Sequence, residues 1–153
     1  MTESFYVTTP IYYVNGAPHI GHAYTTMVAD TMARFHRQRG ADVFFMTGTD
    51  EHGLKVQRAA EAEGITPQAL ADINSAKFQD LFDRLGIKYD RFIRTTEDAH
   101  RRVVEHVYQA MLANDDVYLS TYAGWYSASD EAFYDESEIE DGFAKASGSK
   151  VEW

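Results

Sequence analysis

The order of the first three elements constrains this chain more than any other feature. Phe5-Tyr6-Val7-Thr8-Thr9 is rich in β-branched and aromatic residues and stops at Pro10. Val43-Phe44-Phe45-Met46 is a continuous apolar run, the pattern of a strand buried on both faces. Between them the pattern is helical. Ile20, Tyr24, Met27, Val28, Met32 and Phe35 fall near one face; Arg34, Arg37 and Arg39 complement a C-terminal dipole, and Gly40 ends the helix. Two strands joined by a helix of that length are predicted to run parallel.

The same alternation continues. Thr47-Gly48-Thr49-Asp50 closes the second strand, and a helix is expected from about His52. Thr66-Pro67 is a capping residue followed by proline at the first helical position. Leu70, Ile73, Phe78, Leu81, Phe82 and Leu85 then form an apolar stripe that stops at Gly86. Residues 90–95 read as another strand, and Thr95 and Asp98 have capping-box spacing. Val104, Val107, Tyr108, Met111 and Leu112 are expected to be the buried stripe of the next helix. The character changes after Asn114. Residues 117–122, 124–127 and 132–134 read as short strands, and 150–153 as a strand cut short. A boundary is placed near 116. The expected architecture is α/β, a parallel sheet with crossover helices, followed by a small β element.

Composition narrows the partners. A chain of 153 residues can bury a real core. Its net charge of −10 argues against a dominant nucleic-acid footprint, so no DNA partner is expected. No Lys or Arg lies between Arg102 and Lys145, where Asp115, Asp116, Asp130, Glu131, Asp135, Glu136, Glu138, Glu140 and Asp141 gather. That stretch reads as a solvated acidic face. There is no long apolar span and no secretory leader, so a cytoplasmic protein with no membrane partner is expected. The absence of cysteine removes disulfides and thiolate metal sites.

Chemistry concentrates in Pro18-His19-Ile20-Gly21-His22-Ala23-Tyr24, where the first strand gives way to the helix. In a parallel sheet, ligands bind beyond the carboxyl ends of the strands. A helix start there offers free N–H groups to an anion. His19 and His22 share a face at i and i+3 and can both donate to one phosphate. Gly21 leaves room for a flat ring such as adenine to approach the backbone, and Pro18 biases Ala17 towards extended geometry. The residues alone also allow a metal pair, with Asp50 or His52 as a third ligand, or simply a polar helix start. The helix dipole contributes only about 0.3–1 kcal/mol. One preorganised donor aimed at developing charge contributes about 2.7–4 kcal/mol. A catalytic role would therefore rest on aimed histidines and positioning.

The full string Thr9-Pro10-Ile11-Tyr12-Tyr13-Val14-Asn15-Gly16-Ala17-Pro18-His19-Ile20-Gly21-His22 closely resembles the first signature of class I aminoacyl-tRNA synthetases, whose "HIGH" tetrapeptide His19 to His22 spell. Its extended form is similar to methionyl-tRNA synthetases in particular. Thr47-Gly48-Thr49-Asp50-Glu51-His52-Gly53 resembles a second block of that family, and Phe92-Ile93-Arg94-Thr95-Thr96 and Gly124-Trp125-Tyr126-Ser127 are similar to further segments. The resemblance implies a Rossmann-like parallel sheet. Residues 1–116 would be the first half of a nucleotide-binding catalytic domain, and 117–153 the incomplete start of the connective-peptide insertion. It implies ATP-dependent activation of methionine to methionyl-adenylate and transfer to tRNA(Met), with ATP carrying Mg2+ as its counter-ion.

On this resemblance His19 and His22 are the catalytic and ATP-binding pair, and Gly21 lies under the adenine. Asp50 receives the substrate's α-amino group, although by position alone it could equally be a helix cap. An ion pair at 4 Å is worth about 4 kcal/mol at an effective dielectric constant near 20, before desolvation. Pro10, Ile11 and Tyr13 line the methionine side chain.

Two departures from the family pattern carry weight. Many members have a zinc knuckle where this chain has Ser127-Ala128-Ser129-Asp130, so no zinc is expected. The later lysine-bearing "KMSKS" loop, the second half of the sheet and the anticodon-binding domain are absent. An N-terminal piece is therefore expected, inactive alone, with tRNA contacts mainly in the missing regions. Three other readings fit the residues: a nucleotidyltransferase with the same histidine pair adenylating another small molecule, a truncated non-catalytic nucleotide- or partner-binding module, and a small histidine–carboxylate metal protein.

Overall fold

The computed structural model describes residues 3–153 and separates into two compact units, Met1–His106 and Val107–Trp153. The first contains β1 (Ser4–Thr8), β2 (Tyr12–Tyr13), α1 (Ile20–Gln38), β3 (Asp42–Asp50), α2 (Leu54–Glu63), α3 (Pro67–Arg84) and β4 (Arg91–Arg94). Helix α4 (Asp98–Ala113) runs across the division.

β3 is the central strand, and every pairing to it is parallel. β1 matches its first half, Ser4 opposite Asp42 through Thr8 opposite Met46. Pro10 interrupts this edge, and β2 resumes it with Tyr12 opposite Thr49 and Tyr13 opposite Asp50. β4 takes the other side, Arg91 opposite Met46 through Arg94 opposite Thr49. The expected parallel α/β sheet is present, and β3 is longer than the apolar run 43–46 suggested. Its second half, Thr47 to Asp50, is built from hydroxyls and glycine. Those residues stay extended because β2 and β4 bond them from both sides.

Gly48 makes this spacing possible. A Cβ on it would lie 2.0 Å from the carbonyl oxygen of Ile93 and 2.6 Å from that residue's side chain. The core beneath is Val14, Phe45, Val56, Leu70, Phe78, Phe82 and Phe92. Helix α3 begins where expected, Thr66 Oγ1 accepting the Ala69 N–H at 3.2 Å with Pro67 in the first turn.

Three local expectations are corrected, the buried stripe of α4, the capping box at Thr95 and the start of α2. The large apolar stripe of α1 faces outward, with Ile20 85% and Tyr24 70% exposed. The buried face is Ala23, Thr26, Ala29, Asp30 and Ala33. Small side chains let the helix lie close on β1 and β3, and Asp30 is satisfied by the Lys88 N–H at 2.8 Å and Arg34 Nε at 2.5 Å. Likewise Val104, Val107, Tyr108, Met111 and Leu112 of α4 are exposed rather than buried. The capping box at Thr95 is replaced by another bond, for Thr95 Oγ1 accepts the Glu51 N–H at 2.9 Å. Glu51 and His52 are held towards β4, so α2 starts at Leu54 rather than at His52, after Gly53 turns the chain at φ 109°.

In the second unit β5 (Trp125–Ser127) pairs antiparallel with β6 (Ala132–Tyr134). A 3-10 turn follows at Glu136–Glu138, then the hairpin of β7 (Ile139–Glu140) and β8 (Phe143–Ala144). The strand expected over 117–122 is not formed; Tyr118 and Leu119 are exposed and no described strand pairs with that stretch. At the end, Lys150 and Glu152 form single bridges to Phe143 and Tyr126. No described helix is long and apolar enough to cross a membrane.

Gly48 generates the first prediction. Gly48→Ala places a carbon against backbone rather than against a movable side chain. It is expected to destabilise the first unit by about 3 kcal/mol, the upper end of overpacking costs. Urea unfolding followed by circular dichroism measures this directly.

Candidate functional site

The chain from Thr9 to Gly21 is held at several points before any ligand is considered. Thr9 Oγ1 bonds Thr47 Oγ1 at 2.7 Å, and Tyr12 Oη bonds Thr26 Oγ1 at 2.9 Å. Asn74 Nδ2 of α3 donates to the Val14 carbonyl at 2.6 Å. These buried bonds hold the turn rigidly over the start of α1.

His19 is the N-cap of that helix, with extended backbone at φ −129°, ψ 177°. Its Nδ1 accepts the Gly21 N–H at 3.1 Å. His22 returns the bond, its Nδ1 accepting the His19 N–H at 3.1 Å. This is the reciprocal logic of a capping box, with imidazoles in place of hydroxyl and carboxylate. It also fixes the chemistry. A nitrogen that accepts an N–H cannot carry a proton, so in each neutral ring the proton sits on Nε2. Both Nε2–H groups remain available as donors.

The rings stack with centroids 3.8 Å apart. His22 is half-buried against Tyr12 and Phe78, at 4.8 and 5.0 Å between centroids. Burial lowers its pKa, and the charge of a protonated His19 lowers it further. His22 thus stays neutral to a lower pH than a free imidazole. Gly21 serves the cap as well, because a Cβ there would sit 3.0 Å from the His19 ring.

A hollow of about 420 Å³ opens at this point. Ile11, Tyr12, Tyr13, Asn15, His19 and His22 are in its wall, so the structure brings together four of the residues singled out in the sequence. Pro10, Gly21 and Asp50 are not in that wall. Pro10 and Gly21 are chain neighbours of residues that are. Asp50 sits beside it, paired across the sheet with Tyr13. Tyr12 and Asn15 were not singled out as site residues; the signal for Tyr12 was its place in the signature string.

Glu51 enters the sequence reading only as a letter of the second signature block, with no role of its own. It directly follows Asp50, yet the two carboxylates have different surroundings. The Glu51 side chain is fully buried. It accepts Arg94 Nε at 2.7 Å and Nη2 at 2.9 Å, Thr49 Oγ1 at 2.7 Å and Thr96 Oγ1 at 2.5 Å. Arg94 also reaches Asp72 of α3 at 2.6 Å. Burial alone would raise the Glu51 pKa; the bonds from Arg94, Thr96 and Thr49, with the charge of Arg94, outweigh it and hold the carboxyl below its usual value. The half-buried Asp50 takes no part in this network. An Arg-Thr-Thr run at one strand tip and an Asp-Glu pair at another was the available signal, but only the pairing of β3 with β4 joins them.

In the second unit, Asp130 lies in the turn between β5 and β6. Its carboxylate accepts Ser147 Oγ at 2.5 Å, Ser149 Oγ at 2.7 Å and Tyr134 Oη at 2.7 Å. Ser127 Oγ receives the Asp130 N–H at 3.3 Å. These hydroxyls tie Asp130 to Ser147 and Ser149, more than fifteen positions along the chain. No group of three or more His, Asp or Glu residues is gathered around a common point among the described residues.

A parallel sheet whose first crossover helix opens on paired donor imidazoles is the arrangement of a class I tRNA synthetase nucleotide-binding domain, and comparison with known proteins agrees. The family model described as tRNA synthetases class I (M) matches residues 5–152, and the chain belongs to that family, the methionine branch of the class. It is 56% identical to the methionine–tRNA ligase of Mesorhizobium japonicum over 99% of this chain and 30% of that protein. It is 49% identical to the methionine–tRNA ligase of Streptococcus pneumoniae over 99% of this chain and 24% of that one. Among solved structures it matches the Mycobacterium tuberculosis methionyl-tRNA synthetase in complex with methionyl-adenylate. The TM-score is 0.91 at 46% identity, covering all of this chain and 31% of the other. The chain thus spans under a third of the length of these relatives.

Asp130 provides a pH test of the second unit. Bonds from Ser147, Ser149 and Tyr134 lower its pKa to about 2. Its stabilising effect is therefore complete above the ordinary aspartate value and lost as pH falls through about 2. Both tryptophans, Trp125 and Trp153, belong to this unit, so their fluorescence reports on it alone. Emission is expected to shift between pH 4 and pH 2. Asp130→Asn is expected to show the shifted emission already at neutral pH.

Proposed function

We propose that this chain supplies the methionine-activating half-site of a methionine–tRNA ligase. Residues 1–116 act as the first half of the nucleotide-binding catalytic domain, and residues 117–153 begin the connective insertion. The substrates of the activation step are methionine and ATP, the latter with Mg2+ on its phosphates. tRNA(Met) is bound mainly by regions outside this chain, and the reaction takes place in the cytoplasm. No zinc is required in the Ser127–Asp130 segment, where hydroxyl–carboxylate bonds do the joining.

The observation that carries this reading is the state of the two imidazoles. Each Nδ1 is occupied by a backbone N–H, so each Nε2–H is free to donate at one hollow, beside Ile11 and Tyr13. In the proposed reaction a methionine carboxylate oxygen attacks the α-phosphorus of ATP. The bond from that phosphorus to the bridging oxygen breaks, and pyrophosphate leaves. Negative charge builds on the phosphate oxygens in the transition state. Donors already fixed by the helix cap stabilise it without reorganisation. Asp50 takes the substrate's ammonium group, Pro10, Ile11 and Tyr13 contact its side chain, and Gly21 leaves the adenine close to the backbone. The complex named for the Mycobacterium relative, with methionyl-adenylate, supports this choice of substrates.

The reading is tested in a full-length synthetase carrying this segment. His22→Ala is expected to lower the kcat of methionine-dependent ATP–pyrophosphate exchange by roughly 100- to 1000-fold, the loss typical of one aimed donor. The KM for methionine is expected to stay within about twofold, since the interaction is made in the transition state. Unchanged turnover removes His22 from the role. The 153-residue chain alone is expected to give no exchange.

A further inference from the structure

We propose that Glu51 and Arg94 form a positioning pair that sets Asp50 for the substrate's amine. This rests on the reading of Asp50 given above and adds two residues to that site. Asp50 is the last residue of β3, at a point where strands usually fray. Here it is flanked on both sides by anchored residues. Thr49 bonds the Glu51 carboxylate through its hydroxyl at 2.7 Å, and its carbonyl accepts the Thr95 N–H at 3.3 Å. The Glu51 N–H donates to Thr95 Oγ1 at 2.9 Å, and its carboxylate is gripped by Arg94 in two parallel bonds. The tips of β3 and β4 are therefore stitched together immediately before and after Asp50.

Alternation along the strand puts Thr49 and Glu51 on one side, where their side chains bond each other, and sends Asp50 to the other. The side opposite the stitch is the one that presents a carboxylate. Charge is partitioned in the same way. Arg94 is committed to Glu51 and Asp72, so it does not compete for Asp50. Two adjacent carboxylates would otherwise share one arginine. With Glu51 and Asp72 matched to it, Arg94 leaves Asp50 outside its ion-pair network and open to an ammonium group.

A buried ion pair could equally be a fastening of the fold with no effect on the site. The two roles differ in what they do to ligands with and without an amine. In the full-length synthetase, Glu51→Gln is expected to raise the KM for methionine roughly tenfold and leave the KM for ATP within about twofold. Methioninol, which keeps the amine and lacks the carboxylate, is expected to weaken as a competitive inhibitor by the same factor. 4-(Methylthio)butanoate, which lacks the amine, is expected to inhibit variant and parent equally. Arg94→Lys keeps the charge without the fork and is expected to fall between the two.

Equal loss for both inhibitors, or no change in either, overturns the positioning role. Should Glu51→Gln not fold, Thr96→Val removes one bond to the same carboxylate, and the same pair of inhibitors decides. A parent enzyme without methionine-dependent exchange would instead overturn the functional reading itself, so the two failures are distinguishable.

Discussion

The structure depends on β3 being bonded along both edges while its own chemistry changes halfway. Its first half is apolar, Val43 and Phe45 facing the core; its second half is Thr47, Gly48 and Thr49. Buried hydroxyls are costly when unpaired, by about 1–3 kcal/mol each. Here they are paired, Thr47 with Thr9 and Thr49 with Glu51 and Ser75. The strand thus leaves the core and enters a polar region without a gap in its bonding. Gly48 sits at the changeover, where β4 approaches too closely for any side chain. The Thr9–Thr47 bond then transmits the position of the strand to the turn that carries the histidines.

A consequence is that directional polar bonds, with ring packing around His22, place the candidate groups. The hollow is lined by a turn fixed through Asn74, Thr26 and Thr47, and the strand tip beside it is fixed through Arg94 and Thr95. Such an arrangement suits the ligands proposed above, charged phosphates and an ammonium group held in set directions. Loops held by dispersion alone would adjust around each ligand and lose orientation.

Much of this was legible in the sequence. The strand–helix–strand order gave the parallel sheet, Thr66-Pro67 the start of α3, and the His-x-x-His spacing the helix opening. What was not legible has a common cause, which is that periodicity reports amphipathy but not which face has a neighbour. The large side chains of α1 form a clear stripe, yet Ala23, Ala29 and Ala33 are the buried face because the sheet can approach small residues closely. The stripe of α4 is equally clear and equally uncovered. Glu51 illustrates a second limit. Nothing local distinguishes it from Asp50; only a partner more than forty positions away gives one carboxylate an arginine and leaves the other out. Residues 117–122 illustrate a third, since β propensity without a pairing edge makes no strand.

The reciprocal cap at the start of α1 restricts what could ever stand at position 22. Lysine and arginine carry donors only, so neither can accept the His19 N–H, and the helix would open with that bond unmade. A carboxylate accepts well but offers no donor to the hollow. An imidazole does both with separate nitrogens on one stiff ring, Nδ1 accepting the His19 N–H and Nε2 left to donate, whereas a hydroxyl must use a single oxygen for both. The helix start therefore filters replacements through its own bonding, and lysine or arginine at position 22 should be met first as a lost cap.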